Sequence, residues 1–255
     1  MDLLWLCLFA FLAGLVDAIV GGGGLIQLPA LFIFLPRELA ASVPLVFGTN
    51  KLSSMCGTSV AVFQYARRVK IPWASVLPAA VAAFILSAAG ARVLQLVRSD
   101  FLKPLTLVLL VAVAIYTYSR KNFGHLHAPK FMANHERLLA IAVGVVIGFY
   151  DGFFGPGTGS FLIFIFIGMF GFDFLTASAG AKVINLATNL AAVLTFAAHG
   201  YVRFDYALPM GACNLAGALL GTRLALWQGN RFVRVIFLSV VVLMIAKFAY
   251  EQFVK

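Results

Sequence analysis

Long apolar runs follow one another along almost the whole chain, and only short polar groups separate them. Hydrophobic residues make up 62% of the 255 and charged residues only 11%, whereas a soluble domain averages about 25% charged residues. Lipid tails can solvate the apolar surface of such a chain, whereas water cannot. The runs lack the alternation of barrel strands, so each is predicted to be a helix, which satisfies its own backbone in lipid. The sequence therefore predicts an all-α polytopic membrane protein with about 8–10 membrane segments.

The apolar runs also give the predicted bounds of the membrane segments. These are Leu3–Val20, Leu25–Leu35, Leu39–Ala66, Ile71–Val97, Phe101–Tyr118, Leu138–Phe154, Ser160–Phe170, Phe174–Ala198, Phe204–Trp227 and Phe232–Phe253. Residues 1–120 are predicted to form a first membrane repeat and residues 137–255 a second one. A connector loop over residues 121–136 joins the two repeats.

The two halves of the chain resemble each other in register. Matching residues first recur 134 positions apart: Gly14 and Gly148, Asp17 and Asp151, Gly21 and Gly155, Gly23 and Gly157. Further along they recur 131 positions apart: Lys51 and Lys182, Pro78 and Pro209, Gly90 and Gly221, Arg92 and Arg223. Leucines would match by chance in such a composition, but charged residues in membrane segments would not. The pattern therefore indicates an internal duplication.

Two of the predicted segments are too short to cross a bilayer. Leu25–Leu35 and Ser160–Phe170 have 11 residues each, which gives about 16–17 Å of helix for a hydrocarbon core of ~30 Å. They follow the glycine-rich breaks Gly21–Gly24 and Gly155–Gly159. Short helices beside broken backbone at matching positions of two halves are typical of a transporter's binding site.

The number of crossings in each half decides how the two repeats are oriented. If each short helix forms a hairpin with the helix before it, each half crosses an odd number of times and the halves are inverted. One continuous broken helix would instead give parallel copies. The inverted arrangement places Arg67, Arg68 and Arg223 on the same side as the connector. This side has the larger share of Lys and Arg, so it is predicted to be cytoplasmic, with both termini outside.

Four ionisable residues lie inside predicted membrane segments: Asp17, Lys51, Asp151 and Lys182. Each costs at least ~2.5–3.5 kcal/mol to insert, so each needs a compensating role. Helical spacing places Asn185 and Asn189 on the face of Lys182, and Ser54 on the face of Lys51. One interpretation is an anion site at the midplane, and the other is that each lysine pairs with an aspartate and holds the fold. The aspartates are expected to have a structural role or to carry coupling protons or ions.

The predicted substrate site combines the lysine faces with the two glycine breaks. Glycine lets backbone N–H groups approach a ligand closely, and the start of a helix favours an anion. The predicted substrate-binding residues are Gly21, Gly22, Gly23, Gly24, Asn50, Lys51, Ser54, Gly155, Gly157, Thr158, Gly159, Lys182, Asn185 and Asn189.

Several other functions have no support in the sequence. Neither glycine-rich run is followed by Gly-Lys-Ser or Gly-Lys-Thr, and no nucleophile elbow or zinc-protease helix occurs. The net charge is +10, but the basic residues flank apolar runs and do not form a nucleic-acid-binding stripe. The connector histidines His125, His127 and His135 lack the spacing of a closed zinc site. No enzymatic activity, cofactor or metal is therefore expected, and the expected partners are a small anion and the lipid bilayer.

The duplicated motifs resemble those of the TauE/SafE family of sulfite-exporter-type permeases. The resemblance lies in GLVDAIVGGGGLIQLPAL, TNKL, GFYDGFFGPGTGSFL and AKVINLATNLAAVLTF, which cover both halves. It implies a secondary transporter of sulfur-containing anions, such as sulfite, sulfonates or sulfoacetate, in a bacterial inner membrane. The alternatives are a passive, channel-like anion pathway and a membrane-embedded enzyme or scaffold. The first copy departs from the Gly-Pro-Gly form of the second, because Gly22 stands where the second copy has Pro156.

Overall fold

The computed structural model describes residues 2–96 and 133–253, and these residues form helices joined by short turns. The helices are α1 (Asp2–Val20), α2 (Gly24–Phe34), α3 (Arg37–Ala40), α4 (Val43–Ala66), α5 (Trp73–Leu94), α6 (Ala133–Phe153), α7 (Thr158–Ile165), α8 (Phe174–Ala198) and α9 (Phe204–Phe253). One π-helical turn, Phe166–Phe170, extends α7. The predicted all-α membrane fold is confirmed.

Three of the described helices, α1, α5 and α8, are long and apolar enough to cross a membrane. The two short apolar helices that the sequence predicted are present as α2 and as α7 with its π-helical turn. Each follows a turn built on glycines with positive φ. The predicted pairing of a glycine break with a short helix is therefore confirmed in both halves.

One predicted segment is divided in the structure, and two others meet at a backbone break. Leu39–Ala66 is divided into α3 and α4, because Ser42 is extended and Pro44 lies in the first turn of α4, where its missing N–H costs nothing. Phe204–Trp227 and Phe232–Phe253 correspond to the two parts of α9, and the backbone between them departs from helical geometry at Gly229 (φ 74°, ψ −166°). The predicted segment Phe101–Tyr118 and connector residues 121–132, with His125 and His127, lie outside the described residues.

The helices of the two halves begin at equivalent positions. Val43 and Phe174 begin α4 and α8, and Trp73 and Phe204 begin α5 and α9, in both cases 131 residues apart. The packing between the halves is reciprocal, since α1 packs along α9 and α6 packs along α5. Helices α4 and α8 also contact each other. Each half therefore supplies its first helix to the other half.

Glycines set how closely these reciprocal helix pairs approach. A Cβ atom on Gly14 of α1 would overlap the backbone of Asn214 of α9, and one on Gly148 of α6 would overlap the backbone of Ala83 of α5. Asn214 and Ala83 are 131 residues apart, so the two contacts are repeat equivalents. Small residues allow such close packing of membrane helices.

Gly14→Ala and Gly148→Ala are expected to lower the thermal unfolding temperature by similar amounts. Overpacking against a backbone costs ~1–3 kcal/mol, which corresponds to roughly 2–12 °C for a chain of this size. Gly24→Ala is the control, because the nearest atom to its added Cβ is 3.9 Å away. Equal unfolding temperatures for all three variants in detergent would contradict the close approach.

Candidate functional site

The two glycine breaks lie against each other between the halves. Gly21 and Gly22 have φ values of 78° and 92°, and Gly155 and Gly157 have values of 85° and 82°. A residue with a Cβ rarely adopts such backbone. Gly21 also packs directly on the backbone of Gly159 at the start of α7. The breaks between α1 and α2 and between α6 and α7 therefore form one centre.

Two ion pairs cross between the halves at this centre. Lys51 Nζ lies 2.6 Å from Asp151 Oδ2, and Lys182 Nζ lies 2.7 Å from Asp17 Oδ2. Both lysines and Asp151 are buried. Each lysine thus pairs with the aspartate of the other half, and the two pairs are repeat equivalents. The predicted pairing of each lysine with an aspartate is therefore present, whereas the role of the four residues in the fold or in anion binding stays a prediction.

The two ion pairs differ in what surrounds them. Lys182 is fully buried, and its partner Asp17 also accepts a hydrogen bond from the backbone N–H of Gly23, at 3.2 Å. Lys51 and Asp151 both line a cavity, whereas Lys182 does not. Of these two lysines, Lys51 is therefore the one whose side chain lines the cavity.

The cavity beside Lys51 has a volume of about 40 Å³, which is room for a few water molecules or a small ion. Most of its lining matches the predicted site: Gly22, Gly24, Asn50, Lys51, Ser54, Gly155, Gly157, Thr158, Gly159, Asn185 and Asn189. The predicted site residues Gly21, Gly23 and Lys182 lie just behind this lining, against Gly159 and Asp17. The lining also includes Leu28 and Phe154, which the sequence did not single out, and both aspartates.

Two amide oxygens at the cavity have no protein partner. Asn50 and Asn185 are 4% and 7% exposed, and the Oδ1 atom of each is buried without a hydrogen bond in the described part of the chain. Leaving a buried acceptor unpaired costs ~1–3 kcal/mol. A ligand or water molecule that donates hydrogen bonds would satisfy both oxygens. The lining of the cavity thus includes an ammonium group and amide groups.

Comparison with known proteins identifies the family. The sulfite exporter TauE/SafE family matches residues 6–248, which is nearly the whole chain. The chain belongs to the TauE/SafE family. The resemblance of its duplicated glycine–aspartate motifs is therefore confirmed, and no solved structure matches the chain.

Curated relatives of this TauE/SafE member are named as membrane transporters. The "Probable membrane transporter protein ORF9" of Sinorhizobium sp is 35% identical over 91% of this chain and 86% of its own length. The "Probable membrane transporter protein YfcA" of Escherichia coli K12 is 33% identical, over 95% and 88%. A "Probable membrane transporter protein" of Haemophilus influenzae is 31% identical, over 95% and 92%. The chain is thus an integral membrane protein of a transporter family.

The charges at the centre of this TauE/SafE member balance to zero, since two ammonium groups face two carboxylates. An ammonium group has three donors, so Lys51 can bind a further acceptor while it keeps Asp151. The starts of α2 and α7, at Gly24 and at Thr158 and Gly159, also face the cavity, and a helix start attracts negative charge. No group of three or more His, Cys, Asp or Glu side chains in the described part of the chain could hold a metal ion.

Proposed function

We propose that this protein is a secondary transporter of small sulfur-containing anions, such as sulfite, sulfonates or sulfoacetate, and not an enzyme. The observation that carries the proposal is the cavity beside Lys51, where both glycine breaks meet between the repeats. A tetrahedral or pyramidal oxyanion accepts hydrogen bonds from several directions. An ammonium group and the backbone N–H groups at helix starts can donate these hydrogen bonds. The family and the names of the relatives support the transporter class, and we assign the protein to a bacterial inner membrane.

Charge balance suggests how transport is coupled. The centre is neutral without a ligand, and a charge without compensation is costly inside a membrane. Entry of a monovalent anion therefore favours the entry of a compensating positive charge, such as a proton, at the same centre. In this scheme the anion and the proton cross together.

Alternating access in this proposal uses the two repeats as inverted copies. The reciprocal packing of α1 on α9 and α6 on α5 supports a two-fold relation between them. In an inverted pair, exchanging the conformations of the halves turns an outward-open site into an inward-open one. The small cavity between the glycine breaks would then be the site that each conformation opens to one side of the membrane.

Flux in proteoliposomes tests the proposal directly. We expect sulfite or sulfonate uptake that saturates with concentration and that an imposed proton gradient stimulates. Conductance that never saturates would instead support a passive, channel-like pathway. A thermal-shift screen against sulfite, thiosulfate, sulfonates and carboxylates identifies the ligand, because a ligand that binds only the folded form stabilises it. The absence of stabilisation by every anion, together with the absence of flux, would overturn the proposal.

Leu28→Ala is expected to shift the ligand preference towards larger sulfonates. Leu28 lines the cavity, so its truncation enlarges the space beside Lys51. The matched control is Leu31→Ala on the same helix, because Leu31 is fully buried but does not line the cavity. Both variants lose stability, by ~2–5 kcal/mol, so each ligand-induced thermal shift is measured within its own variant. Equal shifts in ligand preference for the two variants would contradict the idea that Leu28 limits the size of the ligand.

A further inference from the structure

A second, larger cavity opens where α4 ends, α8 begins and α9 approaches Gly229. Its volume is about 780 Å³, and it shares no lining residue with the cavity beside Lys51. The described residues that line it combine arginines with apolar and aromatic side chains: Val60, Phe63, Gln64, Arg67, Arg68, Val69, Leu175, Leu219, Arg223, Leu226 and Trp227. This surface is called the arginine groove below.

The arginines of the arginine groove have no ion-pair partner among the described residues. Arg67, Arg68 and Arg223 are exposed, and none of them forms an ion pair within residues 2–96 and 133–253. The exposed Arg203 contrasts with them, since its guanidinium lies 2.6 Å from Asp205. Guanidinium groups bind phosphate oxygens through paired hydrogen bonds. Three of them around one cavity therefore fit an anionic phosphate group.

The apolar walls of the groove indicate that the ligand has an apolar part in addition to its phosphate. The side chains of Phe63 and Trp227 are 56% and 80% exposed, and the guanidinium of Arg67 lies 4.0 Å above the Phe63 ring centroid. Exposed tryptophan is typical of the boundary between headgroups and hydrocarbon. A free phosphate ion would leave these walls uncovered, whereas acyl chains would cover them.

We propose that the arginine groove binds an anionic phospholipid. Its phosphate contacts Arg67, Arg68 and Arg223, and its acyl chains lie along Phe63 and Trp227. The predicted orientation puts this groove on the cytoplasmic side, where basic side chains attract anionic lipids. This inference does not depend on the substrate or on the transport mechanism.

The internal repeat provides a comparison for the groove. Arg223 has an equivalent in Arg92, but the equivalents of Arg67 and Arg68 are Ala198 and His199. The matching place in the other half therefore has one arginine in place of three. The concentration of charge is a property of this groove and does not follow from the shared fold.

Lipid binding is tested on purified full-length protein by native mass spectrometry, with phosphatidylglycerol or phosphatidylcholine added to the detergent. We expect the wild type to retain phosphatidylglycerol at least about tenfold more strongly than phosphatidylcholine, since each nearby basic side chain adds to the attraction. The variant R67Q/R68Q/R223Q is expected to lose this preference. The variant R37Q/R92Q/R137Q is the control, because it loses the same charge from exposed positions outside the groove.

Three results would overturn the assignment. The preference for phosphatidylglycerol could survive in R67Q/R68Q/R223Q, or it could fall equally in the control variant, which would indicate only general attraction by net charge. Inorganic phosphate could also displace the lipid at equal concentration, which would show that the groove binds a free anion. All six arginines are exposed, so these variants are expected to fold, and their unfolding temperatures in detergent check this.

Discussion

Lys51→Gln is expected to abolish anion transport, and adding Asp151→Asn is expected to restore the fold without restoring transport. The single substitution leaves the buried Asp151 carboxylate without its partner 2.6 Å away. Removing one member of a buried pair costs ~3–5 kcal/mol, whereas replacing both with neutral groups of similar shape is often tolerated. Transport should fall at least about 100-fold in both variants, because the ammonium that faces the cavity is missing in each.

The double substitution separates the two interpretations of the lysine. If the pair only holds the helices together, Lys51→Gln with Asp151→Asn should transport normally once its unfolding temperature recovers. If Lys51 binds the anion, the stable double variant remains inactive. Normal flux through the double variant would therefore refute the proposed role of Lys51.

The repeat-equivalent pair supplies a matched control for ligand binding. Lys182→Gln with Asp17→Asn also removes one positive and one negative charge. Lys182, however, is fully buried and does not line the cavity. This variant is expected to keep a thermal shift with sulfite, whereas Lys51→Gln with Asp151→Asn should lose it. Equal loss of the shift in both would show that the two lysines are equivalent towards the ligand.

Gly21→Ala is expected to prevent stable assembly of the two halves. Gly21 has a φ of 78°, which costs an L-residue about 1–2 kcal/mol. Its new Cβ would also overlap the backbone of Gly159, which no side-chain rotation can relieve. Overpacking adds ~1–3 kcal/mol, so the total loss in the free energy of unfolding is about 2–5 kcal/mol.

Gly200→Ala is the control that separates the conformational part of this effect from the steric part. Gly200 has a similar φ of 74°, but no atom lies within 4 Å of the position of its Cβ. The free energy of unfolding of Gly200→Ala should therefore fall only by the conformational cost of the positive φ. The comparison uses the yield of folded protein and the unfolding temperature in detergent. If the two variants were equally stable, the contact between the two glycine breaks would not matter for folding.

Sequence patterns predicted the helices well where a local signal exists. The predicted Phe174–Ala198 has the same bounds as α8, and Asp173 caps this helix by accepting a hydrogen bond from the Thr176 N–H at 2.9 Å. The glycine breaks and both short helices were also predicted, because glycine content and length are visible in the chain. The extended residue Ser42 was not predicted, since the apolar run continues through it.

The partners of the buried charges could not be predicted from the sequence. Insertion cost identifies Lys51 and Asp151 as exceptional, but they are 100 residues apart, and only the packing of the halves brings them together. The fully buried Gln27 was also missed, although it interrupts an apolar run. Asn214 donates a hydrogen bond to it at 2.9 Å. Leu28 and Phe154 resemble lipid-facing residues in sequence, so their place at the cavity was not predictable either.

The crossed ion pairs also constrain the order of events during synthesis. The first half enters the membrane carrying Asp17 and Lys51, whose respective partners Lys182 and Asp151 have not yet been made. Until α6 and α8 arrive, the newly inserted helices hold two charges without their ion-pair partners. A protein truncated after its first repeat should therefore be a substrate for membrane quality control, and separately expressed halves should become stable only when both are present in the same membrane.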